Sequence, residues 1–317
     1  MNFTKSIFII LTLVILSCSS GCSMITLGYN HADWILRYRI TDYTSFNAQQ
    51  KDEIHREVDD YLRWHRKNAL PEYIAYLKNL NALLSRDAAL NAGDVIGIRI
   101  ESNRLYKKTL VPFIRPTAHV LSTLDEQQID KLRNMLAKNN RKEEKETLFA
   151  SAQENLSKRA ERHIDFVEQL VGSLSNEQED KIRELSLRIP FATRAYIEQR
   201  ETKQANLIAL LNAKASEEKI AALFLQWLNT PEAFRTVQQQ QAIEAYESSM
   251  NEMTVRIFEL LTTRQKDYLR KKISSFIDDF QQLQSAPETI GARTIPAGAS
   301  PPGAAAYLDL YPWHVNL

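Results

Sequence analysis

Leu124-Asp125-Glu126-Gln127-Gln128-Ile129-Asp130 decides the fold. An apolar residue precedes a short polar one, a Gln follows three positions later, and an acid stands two further on. Asp125 is suited to accept a hydrogen bond from an early amide of a helix that starts at Glu126, while Gln128 reaches back to the amide of Asp125. The acid at 130 still lies near the positive helix end, where its benefit is fading. The same order occurs in Phe46-Asn47-Ala48-Gln49-Gln50-Lys51-Asp52, in Leu174-Ser175-Asn176-Glu177-Gln178-Glu179-Asp180 and in Leu261-Thr262-Thr263-Arg264-Gln265-Lys266-Asp267. The copies begin 78, 50 and 87 residues apart. That is too irregular for a solenoid period, so the motif reads as a recurring device for starting helices.

The stretches between these starts carry helical periodicity. Ile54, Val58, Tyr61, Leu62 and His65 share one face, as do Leu148, Ala152, Leu156, His163, Phe166 and Leu170. Ile243, Tyr246, Met250, Met253, Ile257 and Leu260 alternate steps of three and four, the spacing of a buried seam. Pro71, Pro112, Pro116, Pro190 and Pro231 mark expected helix starts or breaks, and Ala92-Gly93-Asp94 with Gly97 marks another. The expectation is an all-α protein, an elongated bundle of about eight to ten helices with long antiparallel members and short connections.

Composition agrees. The chain has 317 residues, 44% hydrophobic and 25% charged, with only 8 Gly, and helix formers dominate. The 40 Lys and Arg residues face 39 acids. No acid precedes residue 22, so loss of a leader containing Lys5 leaves the charges balanced. A neutral chain argues against a nucleic-acid binder that relies on a strong positive field.

The amino terminus reads as an address. Lys5 precedes an uncharged run from Ser6 to Leu16, too short to span a bilayer, which takes about 20 apolar residues, but matched to the hydrophobic region of a signal peptide. Small residues lead on to Leu16-Ser17-Cys18-Ser19-Ser20-Gly21-Cys22. This stretch resembles the lipobox of bacterial lipoproteins, in which the cysteine thiol receives a diacylglyceryl group. Cys18 has Ile15 and Leu16 upstream, whereas Cys22 follows Gly21, so the local pattern leaves both open. Acyl chains anchor durably, at about 0.8 kcal/mol per buried methylene. Ser23 stands where the resemblance would put Asp in a lipoprotein retained at the inner membrane. The resemblance therefore implies an outer-membrane lipoprotein facing the periplasm.

Beyond Cys22 come Leu27-Gly28-Tyr29-Asn30, Asp33-Trp34, Trp64-His65-Arg66 and Leu70-Pro71-Glu72-Tyr73 with Leu77. This order is similar to a family of uncharacterised proteobacterial lipoproteins of the domain-of-unknown-function 6279 type. There a lipobox cysteine is followed by Tyr-Asn, then by Trp-His-Arg and Leu-Pro-x-Tyr. The likeness runs from the leader to about residue 285, implies acylation at Cys22, and carries no activity with it. Leu261-Thr262-Thr263-Arg264-Gln265 also resembles the Leu-Thr-x-x-Gln motif of small periplasmic helical chaperones, although that motif is equally a generic capping box. The expected organisation is a signal peptide over 1–21 and an acylated, aromatic-rich linker or short helix over 22–46. A helical domain over 47–285 and a flexible Pro/Gly/Ala-rich tail over 286–317 complete it.

Chemistry-bearing motifs are few. Gly-x-Ser-x-Gly, Gly-x-Gly-x-x-Gly and Gly-Lys-Ser/Thr are absent, as is the Glu-x-x-His of di-iron bundles. Asp52, His55 and Asp59 share a helix face, but Asp52 belongs to a cap, and no metal or cofactor is assigned. His163 on its apolar face reads as a hydrogen-bonded core histidine. Arg141-Lys142-Glu143-Glu144-Lys145-Glu146 reads as a solvated face. Trp64, His65, Arg66 and Tyr73 crowd one corner. There His65 or Arg66 is expected to satisfy carbonyls at the end of the first long helix, or Arg66 to contact an anion or a partner. Tyr29, Trp34 and Tyr38 are candidates for the membrane surface, or for the inner face of a short helix. The expected function is a non-enzymatic envelope lipoprotein, membrane-bound through its acyl chains, that binds a protein partner or scaffolds an assembly. The alternatives are a periplasmic chaperone-like cradle and, third, an envelope hydrolase using carboxylates.

Overall fold

The computed structural model describes residues 24–86, 88–148 and 151–286. Cys18, Cys22, the leader and the residues after 286 lie outside them. Among the described residues the chain is helical throughout and has no strand. Two short helices, α1 (Met24–Asn30) and α2 (Ala32–Thr41), lead into α3 (Ala48–Trp64). A π turn, His65–Ala69, joins α3 to α4 (Leu70–Leu84). Then follow α5 (Ala92–Ser122), α6 (Glu126–Thr147), α7 (Ala152–Val171), α8 (Asn176–Arg188), α9 (Thr193–Asn212) and α10 (Glu217–Asn229). A 3₁₀ turn, Pro231–Phe234, precedes α11 (Val237–Leu260) and α12 (Thr263–Ser285). The division is finer than eight to ten.

All four predicted caps close as capping boxes, at Asn47/Gln50, Asp125/Gln128, Ser175/Gln178 and Thr262/Gln265. Asn91/Asp94 and Thr236/Gln239 make two more. The four copies also pair across the fold. The amide nitrogen of Gln128 donates to Oε1 of Gln50 at 2.7 Å, and that of Gln50 donates back at 3.3 Å. Gln178 and Gln265 repeat the exchange at 2.8 and 3.0 Å. Each of these nitrogens also donates to a carbonyl just before its partner's cap. Gln50 reaches Thr123, Gln128 reaches Ser45, Gln178 reaches Leu260 and Gln265 reaches Ser173. Because each Oε1 also accepts from its own N-cap amide, both hydrogens and both lone pairs of all four side chains are engaged. The uneven spacings acquire a meaning: 78 and 87 residues separate the members of the two pairs.

Each clasp sits beside a core. Around the first, Ile54, Val58, Ile129, Leu132, Leu211 and Ile220 bury side chains from α3, α6, α9 and α10. Each such side chain is worth about 1.5–3 kcal/mol. Around the second, Ile164, Val167, Ile182, Met253 and Leu261 join α7, α8 and α11. Ile74, Ile273 and Ile277 zip α4 to α12. Gly172 ends α7 at φ 82°, a conformation that strains any L side chain.

Three expectations need correction. Pro112 and Pro116 do not break a helix, since α5 runs through both, and Gly97 lies inside it as well. Packing of α5 along α3 and α10 holds the rod despite the lost amides. Leu148 and Ala152 leave the predicted face of α7, because α6 ends at Thr147 and the buried stripe is Ala160, Ile164, Val167 and Val171. The charged run is not wholly solvated: Glu143 is half-buried and pairs with the buried Arg200 of α9.

Gln128→Ala removes the donor to the Ser45 carbonyl and leaves half of the buried Gln50 amide without its partner. It is expected to cost about 2–3 kcal/mol in urea-induced unfolding. Gln50→Ala combined with it is expected to cost less than the sum of the single changes, because the two share one network.

Candidate functional site

The corner forecast around Trp64, His65, Arg66 and Tyr73 forms at the π turn. Pro71 has no amide to offer, and its ring crowds the carbonyl one turn back. The chain widens there, so that the Leu70 amide reaches the His65 carbonyl five residues earlier. The rod from α3 to α4 therefore continues, and His65 and Arg66 are not at a helix end as expected. Arg66 does satisfy a terminal carbonyl, but of another helix. Its Nη1 donates to the carbonyl of Ala286, the C-cap of α12, at 3.3 Å.

His65 stands at the centre of three tyrosines. Its ring centroid lies 5.6 Å from Tyr29, 5.9 Å from Tyr61 and 5.6 Å from Tyr73. The Tyr29 hydroxyl meets its Nδ1 at 3.0 Å. The Arg66 guanidinium, 5% exposed as a residue, lies 5.5 Å from the Tyr29 centroid, a cation–π contact of the desolvated kind. Trp64 stacks on Tyr61 at 6.0 Å. Thr109 of α5 fixes the far side. The Tyr61 hydroxyl donates to its carbonyl at 3.3 Å and the Tyr73 hydroxyl meets its Oγ1 at 2.5 Å. Phe113 and Phe280 close the aromatic shell.

Of the sequence candidates, Tyr29, Trp64, His65, Arg66 and Tyr73 come together. Trp34 is half-buried beside His31 at 6.4 Å, and Tyr38 is exposed on α2. Tyr61, Thr109, Phe113, Phe280 and the Ala286 carbonyl were not foreseen. Tyr61 was readable as a core residue, but nothing in local sequence marks Thr109 or the end of α12 as its neighbours. Elsewhere, Asp59 of the helix-face trio is engaged by Arg37. His163 bonds the fully buried Ser186 at 2.8 Å, as a hydrogen-bonded core histidine should.

Electrostatics define what the corner can do. Burial pushes His65 down to about 4 and Tyr29 up to about 12, and raises Tyr61 further. At neutral pH His65 is thus uncharged and the Tyr29 and Tyr61 hydroxyls keep their protons. The arrangement holds α1, the π turn, α4, α5 and the end of α12 in one place.

A model of a family of unknown function, DUF6279, matches residues 42–237, and the chain belongs to that family. No curated protein and no solved structure matches it. The matched span includes Trp64, His65, Arg66 and Tyr73, whereas Tyr29, Phe280 and Ala286 fall outside it.

Burial lowers both His65 and His163 to about 4, below the ordinary histidine value of about 6.5. Between these values the unfolded chain takes up protons that the native one does not. The stability they contribute is present above pH 6.5 and is lost as pH falls toward 4. His119 works in the opposite sense, because Glu217 and Glu53 raise its pKa, but solvent screens this exposed group. Urea midpoints measured from pH 7 to 4 are expected to fall steadily. His65→Gln and His163→Gln should each flatten part of that slope.

Proposed function

We propose that this member of the DUF6279 family is an envelope lipoprotein, acylated at Cys22, that works by binding a protein partner at the membrane surface. The observation that carries this reading is the meeting of chain ends at the π turn. Helix α1 starts at Met24, two residues after Cys22, and its Tyr29 rests on His65 and Arg66. Arg66 in turn holds the Ala286 carbonyl, where α12 stops. A lipid tether at residue 22 would therefore meet the body close to Ala286, which residues 287–317 follow in the chain. Those residues include Tyr307, Leu308, Tyr311 and Trp313, apolar groups suited to a protein surface close to the bilayer. No described helix is long and apolar enough to cross a membrane, so on this reading the acyl chains supply the attachment. The neutral His65 and un-ionised Tyr29 favour a structural clasp over an acid–base centre.

In protein from its native cell, the mass of the amino-terminal peptide is expected to show diacylglyceryl on Cys22, and Cys22→Ser should abolish labelling by palmitate. Labelling that survives Cys22→Ser and is lost in Cys18→Ser would move the anchor to Cys18. An unmodified terminus would remove the envelope assignment. With a photo-crosslinking residue at the exposed Lys67 position, one neighbour is expected to recur in intact cells. Repeated recovery of nothing above background would end the partner-binding proposal.

A further inference from the structure

A groove of about 540 Å³ lies open between α6 and α9. Three contacts fix its walls. Arg133 of α6 donates to Asn212 at 3.4 Å near one end, the buried Asn140 donates to Gln204 at 2.7 Å near the other, and Arg200 holds Glu143 one turn beyond. Numbers rise along one helix as they fall along the other, so the pair is antiparallel. Between the first two bridges the lining is Leu136, Ala137, Ala205, Ile208 and Ala209. Ala205 and Ala209 are exposed on α9, which turns Leu207 and Leu211 to the core. Side chains this short let another helix come close, since the spacing of packed helices follows the residues between them.

Three charged side chains line the groove. Arg133 is committed to Asp130 at 2.7 Å. Arg141 of α6 and Glu201 of α9 are exposed on opposite walls, and neither forms an ion pair among the described residues. They stand at the same end, because Arg141 directly follows Asn140 and Glu201 lies one turn before its partner Gln204. The next acids along α6, Glu143 and Glu144, are engaged by Arg200 and Arg194. From Lys131 to Lys142 that helix carries five cations and no acid. From Glu201 to Asn212, α9 exposes Glu201 as its one charge, since Lys203 is buried.

A twofold interface needs a patch that holds both halves of each contact. One basic wall and one acidic wall, with their free charges at one height, meet that need. A twofold axis parallel to the groove lays α9 of each copy into the groove of the other, antiparallel to α6, and brings each Glu201 to the other copy's Arg141. An axis across the groove would set the basic α6 of one copy on the α6 of the other, which like charges oppose. A lipid chain would cover the alanines but match neither rim charge. We propose that the α6–α9 groove is the interface of a homodimer, held by two symmetric Arg141–Glu201 pairs around an alanine-lined contact. The surface is independent of the lipid anchor and of the His65 corner.

The full chain, purified in detergent, provides the test, with its mass read by sedimentation equilibrium. A reversible dimer is expected. Arg141→Glu and Glu201→Arg should each weaken it at least about tenfold. An equimolar mixture of the two variants should recover it, because every Glu then faces an Arg across the interface. Both positions are exposed, so each variant should melt as the wild type does. With a photo-crosslinking residue at the Ala209 position in intact cells, the product is expected to hold two copies of this chain and nothing else. A wild-type chain that stays monomeric at every concentration would overturn the proposal, as would a mixture no tighter than either variant alone. Capture of phospholipid or of a different protein at position 209 would do the same.

Discussion

Four glutamine side chains organise this protein. Each closes its own helix cap and, with the remaining hydrogen-bonding capacity, takes hold of a partner cap. Gln50 with Gln128, and Gln178 with Gln265, exchange amide hydrogen bonds and donate into each other's incoming loops. Gln50 and Gln128 are buried, where an unmet amide would be costly. Full engagement makes the site tolerable, and it also makes the register of the paired helices nearly single-valued. A helix that slid by one residue would leave several buried polar atoms unpaired at once. The apolar stripes that follow, Ile54 and Val58 on α3 or Ile182 on α8, then meet their counterparts in the right phase.

A second constraint lies at the π turn. Pro71 interrupts the amide ladder, and the chain answers with one wide turn instead of a stop. That choice turns His65 and Arg66 inward, toward Tyr29 and the last carbonyl of α12. Both termini of the described body are thereby bound to the middle of the α3–α4 rod. Covered by tyrosines, His65 stays neutral, and the corner behaves as a joint whose cohesion depends on the absence of protons.

Cations are treated unequally in this fold. Glu72 gathers Arg104 and Lys108 on the surface, where such pairs contribute little. Arg200 enters the interior with an acid, Glu143. Lys203 is buried as a residue and lies against the Trp227 ring.

Much of this architecture was present in the linear order of residues. Helix starts at Asn47, Asp125, Ser175 and Thr262 were readable because a capping box closes within four residues and needs no distant partner. The seam Ile243–Tyr246–Met253 was readable for the same reason, since periodicity is a local property. Trp64, His65, Arg66 and Tyr73 were found together because they are neighbours along one rod. Three features were decided by tertiary structure alone: the pairing of the caps, the passage of α5 through Pro112 and Pro116, and the hold of Arg66 on the end of α12. Each depends on groups tens of residues apart being brought within hydrogen-bond or Coulombic reach. Sequence sets what a segment does with its own backbone, whereas packing decides which polar groups must share a dry interior and therefore answer to one another.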